Sequence, residues 1–311
     1  MRLLSRLHFH RIGPAVVAAG LAFSGCSIRQ AAVDSVGDIL AKGGGGSFAT
    51  DDDPVLVQAA VPFSLKLMES ILLESPDHEA LLTATAGGFT QYAFAFVQQE
   101  ADAVEETDFD RATELRLRAR KLYLRARDYG LRALEVDHPG FGGALAADPL
   151  AAVAGMDLED VPALYWTAAA WASAISLSKD DPALIGELPR MEALIDRAYA
   201  LEADFDSGAI HNFLMSYELA RVGGEGDPVE RARRHFGRAV ELSGGKKASP
   251  YITWAESVCV QQQDAAEFRR LLDTALAIDV DARPEWRLEN TIMQLRARRL
   301  LAQIDILFLN P

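Results

Sequence analysis

The sequence offers aromatic and imidazole side chains for ligand binding, and two tryptophans stand out among them. Trp166 and Trp171 lie five residues apart in an alanine-rich stretch, 160–174. Five residues turn an α-helix by about 140° net, so the two indoles face different neighbours. One can pack between helices while the other lines a cavity. Packing of both in the core is an equally weighted alternative.

Other aromatic and polar side chains follow on the next two expected helices. If these helices stack side by side, His211, Phe213 and Trp254 share one concave face. An aromatic concave face with few charges suits an apolar or amphipathic ligand, and Trp286 could close its end. The candidate ligand-binding residues, expected to line a channel, are Tyr165, Trp166, Trp171, His211, Asn212, Phe213, Tyr251 and Trp254.

No set of residues points to catalysis or to a resident metal. The histidines beyond the N-terminal segment have no HExxH or other close metal-binding spacing, and no Gly-x-Ser-x-Gly motif occurs. Cys259 lies in an apolar run and is expected to be a buried structural thiol. We therefore expect no catalytic residue, no metal site and no cofactor, and the protein is predicted not to be an enzyme.

The N-terminus carries the pattern of a bacterial lipoprotein signal. Its apolar stretch, 12–23, is too short for a permanent membrane span and is followed by small residues and Cys26. We expect cleavage after residue 25 and lipidation of Cys26. A plain secretory signal with an incidental cysteine is the alternative. Ser27 resembles an outer-membrane sorting signal, so the mature protein is expected in the periplasm, lipid-anchored to the outer membrane. The positive n-region consists of Arg2, Arg6 and Arg11.

The charge balance restricts the partners of the mature chain. The expected signal holds three basic and no acidic residues, which leaves 28 basic against 45 acidic side chains and a net charge of −17. Such an acidic surface disfavours nucleic acid and broad contact with anionic lipid, so the acyl anchor supplies membrane attachment. Arginines between 111 and 132 could hold an anion, but they alternate with leucines and acids as solvated helix faces do.

The chain divides into three parts by composition. Residues 1–25 are the signal peptide, and 26–52 are expected to be a flexible tether because they contain the glycine run 43–46. That run lacks the Gly-Lys-Ser/Thr ending of a phosphate loop. Residues 53–311 show helical periodicity almost throughout, beginning at Asp53-Pro54, where an acidic N-cap precedes a proline in the first turn. The domain is therefore predicted to be all-helical.

Internal repetition predicts how these helices are arranged. Four helix endings place a small alanine before an aliphatic residue or tyrosine, as in the second helix of a tetratricopeptide-like unit. The intervals between the alanines are 65, 41 and 36 residues, near the roughly 34-residue period of such repeats. The insertion 139–162 lengthens the first interval, and first helices are expected at about 161–178, 207–222 and 249–262. The fold class is thus an all-α, tetratricopeptide-like helical repeat solenoid, with 284–308 as a C-terminal capping helix. The four alanines are Ala133, Ala198, Ala239 and Ala275.

The mature chain as a whole resembles the TatT component of tripartite ATP-independent periplasmic (TRAP) transporters, a tetratricopeptide-like lipoprotein. The resemblance implies an accessory protein that associates with the periplasmic solute-binding protein of the transporter. It also implies a homotrimer with a pore or cavity in each protomer, through which a hydrophobic or organic-acid ligand is passed. An envelope scaffold that uses its repeats only for protein–protein interaction is the alternative. The segments that carry the resemblance are 62–66, 118–127, 161–166, 208–211 and 288–290.

Overall fold

The computed structural model describes residues 33–41 and 46–309. Every regular element within these ranges is helical, and they contain no strand. The all-α prediction is therefore confirmed for this part of the chain, whereas the tetratricopeptide-like arrangement and the role of a cap stay predictions. The signal peptide and Cys26 lie outside the described residues.

The helices follow one another with short connections. The first half contains α1 (33–41), α2 (Pro54–Glu74), α3 (Glu79–Tyr92), a π-helical segment (Ala93–Gln98), α4 (Gln99–Val104), α5 (Phe109–Asp137), α6 (Phe141–Ala147), α7 (Pro149–Val153) and α8 (Val161–Ser176). The second half contains α9 (Pro182–Ile185), α10 (Leu188–Glu202), α11 (Phe205–Tyr217), α12 (Pro228–Ser243), α13 (Ser249–Trp254), a π-helical segment (Ala255–Cys259), α14 (Val260–Gln262), α15 (Ala265–Leu276), a 3₁₀ turn (Pro284–Trp286), α16 (Arg287–Ala302) and α17 (Ile304–Leu307).

Side-chain caps fix where the helices begin. The Asp53 carboxylate accepts hydrogen bonds from the N–H groups of Val55 and Leu56, both at 3.0 Å, which confirms the predicted start of α2. Asp108 caps α5 in the same way through the N–H of Arg111, at 3.0 Å. Each cap satisfies backbone donors that have no partner within the helix.

The small residues singled out by the repeat pattern lie in the core. Ala133, Ala198, Ala239 and Ala275 are all buried, with 0–2% of their surface exposed. Long helices that follow one another in the chain, apart from intervening short elements, pack on one another: α3 on α5, α5 on α8 and α8 on α10, then α11 on α12 and α15 on α16. The insertion 139–162 forms the two short helices α6 and α7.

The last long helix packs against the first ones. Arg296 of α16 binds Asp102 of α4, with Nη1 and Oδ2 3.1 Å apart, and Arg299 donates to the Gln99 carbonyl at 3.1 Å. The sequence predicted one continuous capping helix over 284–308, but the structure divides this segment. It is a 3₁₀ turn followed by α16 and α17, and α16 contacts the N-terminal helices beside a cavity that α2 and α16 both line.

Two N-terminal features border this space. Part of the expected tether, 33–41, is helical and lies against the domain, since Ser75 donates to Asp34 at 2.6 Å. Helix α2 is long and apolar enough to cross a membrane by length and composition alone, and 28% of its most apolar window is buried. Core helices of soluble proteins pass the same test. The exposed apolar side chains of α2 are Val55, Leu56, Phe63, Leu67 and Leu73.

Candidate functional site

A cavity of about 710 Å³ lies between α2, α3, α8 and α16. Helix α2 turns Val57, Val61, Leu65 and Met68 towards it, at the spacing that places residues on one helix face. The opposite wall includes Ile292 and Met293 of α16. Residues of the first and last long helices thus line the same space, and most of its wall is apolar.

Helix α3 forms a thin wall of the cavity because it carries two glycines there. A Cβ on Gly87 would be 3.0 Å from Cε2 of Trp166, and a Cβ on Gly88 would be 2.8 Å from Cδ2 of Leu65. Any side chain at these positions would displace a residue that lines the cavity. The π-helical segment directly after α3 adds Phe94 and Phe96 to the wall, and such segments frequently occur at functional sites.

The polar end of the cavity is built on an unusual backbone. Asp206, Ser207 and Gly208 in the first turn of α11 have φ of 45°, 54° and 99°. The left-handed region costs an L-residue roughly 1–2 kcal/mol, so surrounding contacts must hold this turn. One such contact is the Asp206 carbonyl, which accepts from Nζ of Lys247 at 3.4 Å.

Lys247 lies almost buried at this end, with 9% of its side chain exposed. Its ammonium is 3.4 Å from the carboxylate of Glu289 and 5.2 Å from the ring centroid of Trp286. Asn290 fixes the loop that carries Lys247, because it donates to the Lys246 carbonyl and accepts from the N–H of Ala248, each at 2.9 Å. Asn290 is therefore a positioning residue for Lys247.

Burial and the neighbouring charges at this end shift the pKa of the Asp206 carboxyl. Burial raises the pKa of the Asp206 carboxyl above its ordinary value, Lys247 opposes the shift and Glu289 adds to it. At the rim, Arg283 pairs with Glu285, with Nε and Oε1 2.6 Å apart, and its guanidinium lies 4.5 Å from the Trp286 ring centroid. The cavity therefore combines an apolar body with one polar, charged end.

Two of the predicted ligand-binding residues lie at this cavity. Trp166 lines it directly. Tyr165 packs beside it, with its ring 5.0 Å from that of Trp166 and 5.3 Å from that of Phe205. Burial raises the pKa of Tyr165, and the carboxylates of Asp206 and Glu289 add to the shift.

Trp171 faces another part of the molecule. It is 2% exposed, its indole N–H donates to Glu187 at 2.9 Å, and the guanidinium of Arg127 lies 5.2 Å from its ring centroid. These contacts join α8 to α5 and to the start of α10. The two tryptophans thus separate as their helical spacing predicts, with Trp166 at the cavity and Trp171 in the packing between helices.

Among the predicted residues of α11, His211 contacts the neighbouring helix α12 and Phe213 stacks on a residue of its own helix. His211 Nδ1 is 2.9 Å from Nδ1 of His235 on α12, and Phe213 stacks on Tyr217 with 5.7 Å between ring centroids. The buried side-chain oxygen of Asn212 has no hydrogen-bond partner within the described ranges.

The predicted residues of α13 pack in the same manner. Tyr251 and Trp254 lie against Phe236 of α12, with ring centroids 5.9 and 5.1 Å apart. The structure therefore differs from the expected channel: of α11 only Asp206 and Ser207 line the cavity, and Tyr251 and Trp254 do not.

Outside the cavity, the described residues provide neither a metal-binding group nor a reactive thiol. The described ranges hold no group of three or more His, Cys, Asp or Glu residues that could bind a metal. Burial raises the pKa of the Cys259 thiol to about 12, and the thiol is 1% exposed, so it is protonated and shielded.

The residues of the polar end are those that sequence reasoning missed. Asp206 carries no sequence signal beyond its position two residues before a glycine. Asn290 and Glu289 lie in segment 288–290, and Gly208 opens segment 208–211, two of the segments that carry the family resemblance. The family resemblance is the sequence signal that could have identified Gly208, Glu289 and Asn290 as site residues.

Comparison with known proteins agrees with the resemblance. The TRAP transporter T-component family matches residues 50–308, nearly the whole described chain. An uncharacterized protein of Treponema pallidum (strain Nichols) is 30% identical over 310 residues, which cover 94% of this chain and 96% of that protein. This chain belongs to the TRAP transporter T-component family.

Proposed function

We propose that this protein is a noncatalytic periplasmic lipoprotein that associates with the solute-binding protein of a TRAP transporter and holds a small ligand in its cavity. Membership of the family makes it an accessory component of such a transporter. The observation that carries the ligand-holding role is the cavity of about 710 Å³ between the first and last long helices. Small-molecule sites in proteins have volumes of roughly 300–1,000 Å³.

The walls of the cavity support an amphipathic ligand. Val61, Leu65 and Trp166 offer apolar contact area, and the charged residues lie together at one end. A ligand with an apolar body and one polar end matches this division, because its polar atoms keep hydrogen-bond partners while its body leaves water. Hydrophobic and organic-acid compounds are the two classes that the family resemblance suggests.

The other parts of the proposal concern attachment and assembly. Lipidation of Cys26 would hold the domain at the outer membrane, and the acidic surface leaves membrane attachment to the acyl chains. The exposed apolar side chains of α2 offer a protein-binding face, which suits either the proposed homotrimer or the solute-binding protein. The same face would serve an envelope scaffold that binds no small molecule.

Native mass spectrometry of the chain from Ser27, purified from the periplasm, tests the ligand-holding role. The expected result is a trimer that releases a defined small compound on denaturation. Ser64→Trp fills the cavity from α2, whereas Ser176→Trp places the same side chain at an exposed position of α8, away from the cavity and from α2. The compound should be absent from the first variant and present in the second. An empty wild-type protein that still binds the solute-binding protein would favour the scaffold.

A further inference from the structure

The acidic residues that line the cavity outnumber the basic ones. The set comprises Asp206, Lys247, Arg283, Glu285 and Glu289, which are two cations and three acids. Lys247 is engaged by Glu289, with Nζ and Oε2 3.4 Å apart, and Arg283 by Glu285, with Nε and Oε1 2.6 Å apart. One acid, Asp206, remains without a cation of its own.

The carboxylate of Asp206 makes no hydrogen bond and no ion pair with any residue in the described ranges. Its nearest basic neighbour, Lys247, contacts the backbone carbonyl of Asp206 instead. The Asp206 side chain is exposed and lines the cavity. A carboxylate that lines a cavity without a cation of its own favours a positively charged partner.

The backbone that positions Asp206 is in a strained conformation. Asp206 and Ser207 both have positive φ, a conformation that serine rarely adopts. The following residue, Gly208, closes the turn against α12, because a Cβ there would be 3.1 Å from Cα of Ala239. Strained residues of this kind cluster at ligand-binding sites, and this turn presents an unpaired acid to a cavity.

We propose that the ligand of the cavity carries a protonated amine, which pairs with Asp206, on an apolar body that lies between α2 and α16. The inference rests on the proposed ligand-holding function and specifies its chemical class. A ligand with only a carboxylate would meet three acids and two cations that are already paired. An ammonium group instead supplies the one charge that this end of the cavity lacks.

Three probes with eight carbons each and different polar groups separate the contribution of the polar group to affinity from that of the apolar chain. Octylamine, octanoate and octan-1-ol are titrated into the chain from Ser27 by isothermal calorimetry. We expect octylamine to bind at least about tenfold more tightly than octan-1-ol, because a charge-assisted pair replaces a neutral contact, and octanoate to bind more weakly than both. Octanoate binding as tight as that of octylamine overturns the proposal, and so does the absence of octylamine binding.

Two variants assign the effect to Asp206. Asp206→Asn keeps the shape and the tolerance of positive φ but removes the charge, so octylamine should lose about tenfold in affinity while octan-1-ol is unchanged. Asp273→Asn makes the same change at an exposed acid of α15 that does not line the cavity and is the control, with less than about a twofold change in octylamine affinity. Unchanged octylamine binding to Asp206→Asn overturns the amine assignment. If octan-1-ol still binds, the apolar cavity and the ligand-holding function stand without it.

Discussion

Gly130 of α5 lies directly against Thr167 of α8. A Cβ on Gly130 would overlap the Thr167 hydroxyl and lie 3.2 Å from its Cα, a backbone atom that cannot turn away. Thr167 is fully buried and its hydroxyl donates to the Ala163 carbonyl at 2.6 Å. The absence of a side chain at position 130 therefore sets how closely α5 and α8 approach, and with it the position of Trp166 on α8.

Substitution of this glycine tests the close approach. Gly130→Ala should lower the free energy of unfolding by about 1–3 kcal/mol, because overpacking forces the two helices apart. The measurement is urea unfolding followed by circular dichroism. Gly143→Ala is the control, since a Cβ there meets nothing within 4 Å, and it should be neutral or stabilising by up to about 1 kcal/mol. Equal stabilities of the two variants would contradict the close approach.

The ion pairs of Arg296, which link α16 to α4 and to Glu256, predict a second effect on the free energy of unfolding. Arg296→Met leaves Asp102 and Glu256 without this guanidinium, to which they are bound at 3.1 and 2.7 Å. Since the Arg296 side chain is 13% exposed, we expect a loss of about 3 kcal/mol. Hydrogen exchange should show the loss in α16 and α4 together.

The matched control for Arg296 is an exposed pair. Arg270→Met removes a surface contact with Glu267, in which the Arg270 side chain is 62% exposed, and should change the free energy of unfolding by less than about 1 kcal/mol. Faster exchange in α16 alone would mean that this helix does not close on α4.

A buried amide at the polar end predicts a third effect. Asn290→Ala leaves the Lys246 carbonyl and the Ala248 N–H without their partners, and Asn290 is 1% exposed. The expected loss is about 2–4 kcal/mol, measured by urea unfolding. Asn212→Ala removes the same chemical group where its oxygen has no hydrogen-bond partner among the described residues, and should cost less than about 1 kcal/mol. A larger cost for Asn212→Ala would refute this assignment.

The helices could be predicted because their signals are local. Asp53-Pro54 begins α2 where an acidic cap and a proline predict it, and Ala239 is buried where the repeat pattern predicts a small residue. The turn 206–208 could not be predicted in this way. A first helix was expected from 207, but contacts from Lys247 and from α12, which are distant in sequence, hold the start of α11 in left-handed conformations.

The candidate site was only partly predictable for a similar reason. Trp166 belongs to an unusual local composition and its helical spacing separates it from Trp171, so it could be identified from the sequence. Asp206 becomes a site residue because two helices that are far apart in the chain, α2 and α16, enclose a cavity beside it. No pattern within one segment encodes that proximity. Tyr251 and Trp254 have the residue types of a binding site, but α12 covers them through Phe236.

The histidine pair between α11 and α12 predicts how stability depends on pH. Burial lowers the pKa of His235 to about 4, with a further lowering by His211, and burial also lowers the pKa of His211 against the attraction of Asp204. The folded state therefore favours neutral imidazoles, and the unfolded chain binds more protons below its ordinary pKa of about 6.5. The stability that the pair contributes is complete above about pH 6.5 and is lost as the pH falls towards 4.

Replacement of one imidazole tests this dependence. Between about pH 7 and pH 4 we expect His235→Gln to reduce the acid-induced loss of unfolding free energy by about 1–3 kcal/mol, because one of the two depressed groups no longer titrates. The measurement is urea unfolding at a series of pH values, with the two proteins compared first near pH 7 to establish their difference in the neutral state. In the converse variant, His211→Gln, the remaining His235 loses the neighbour that lies 2.9 Å away and lowers its pKa, so its resonance should titrate at higher pH by nuclear magnetic resonance. Parallel stability curves for the two proteins would show that protonation of this pair does not destabilise the fold.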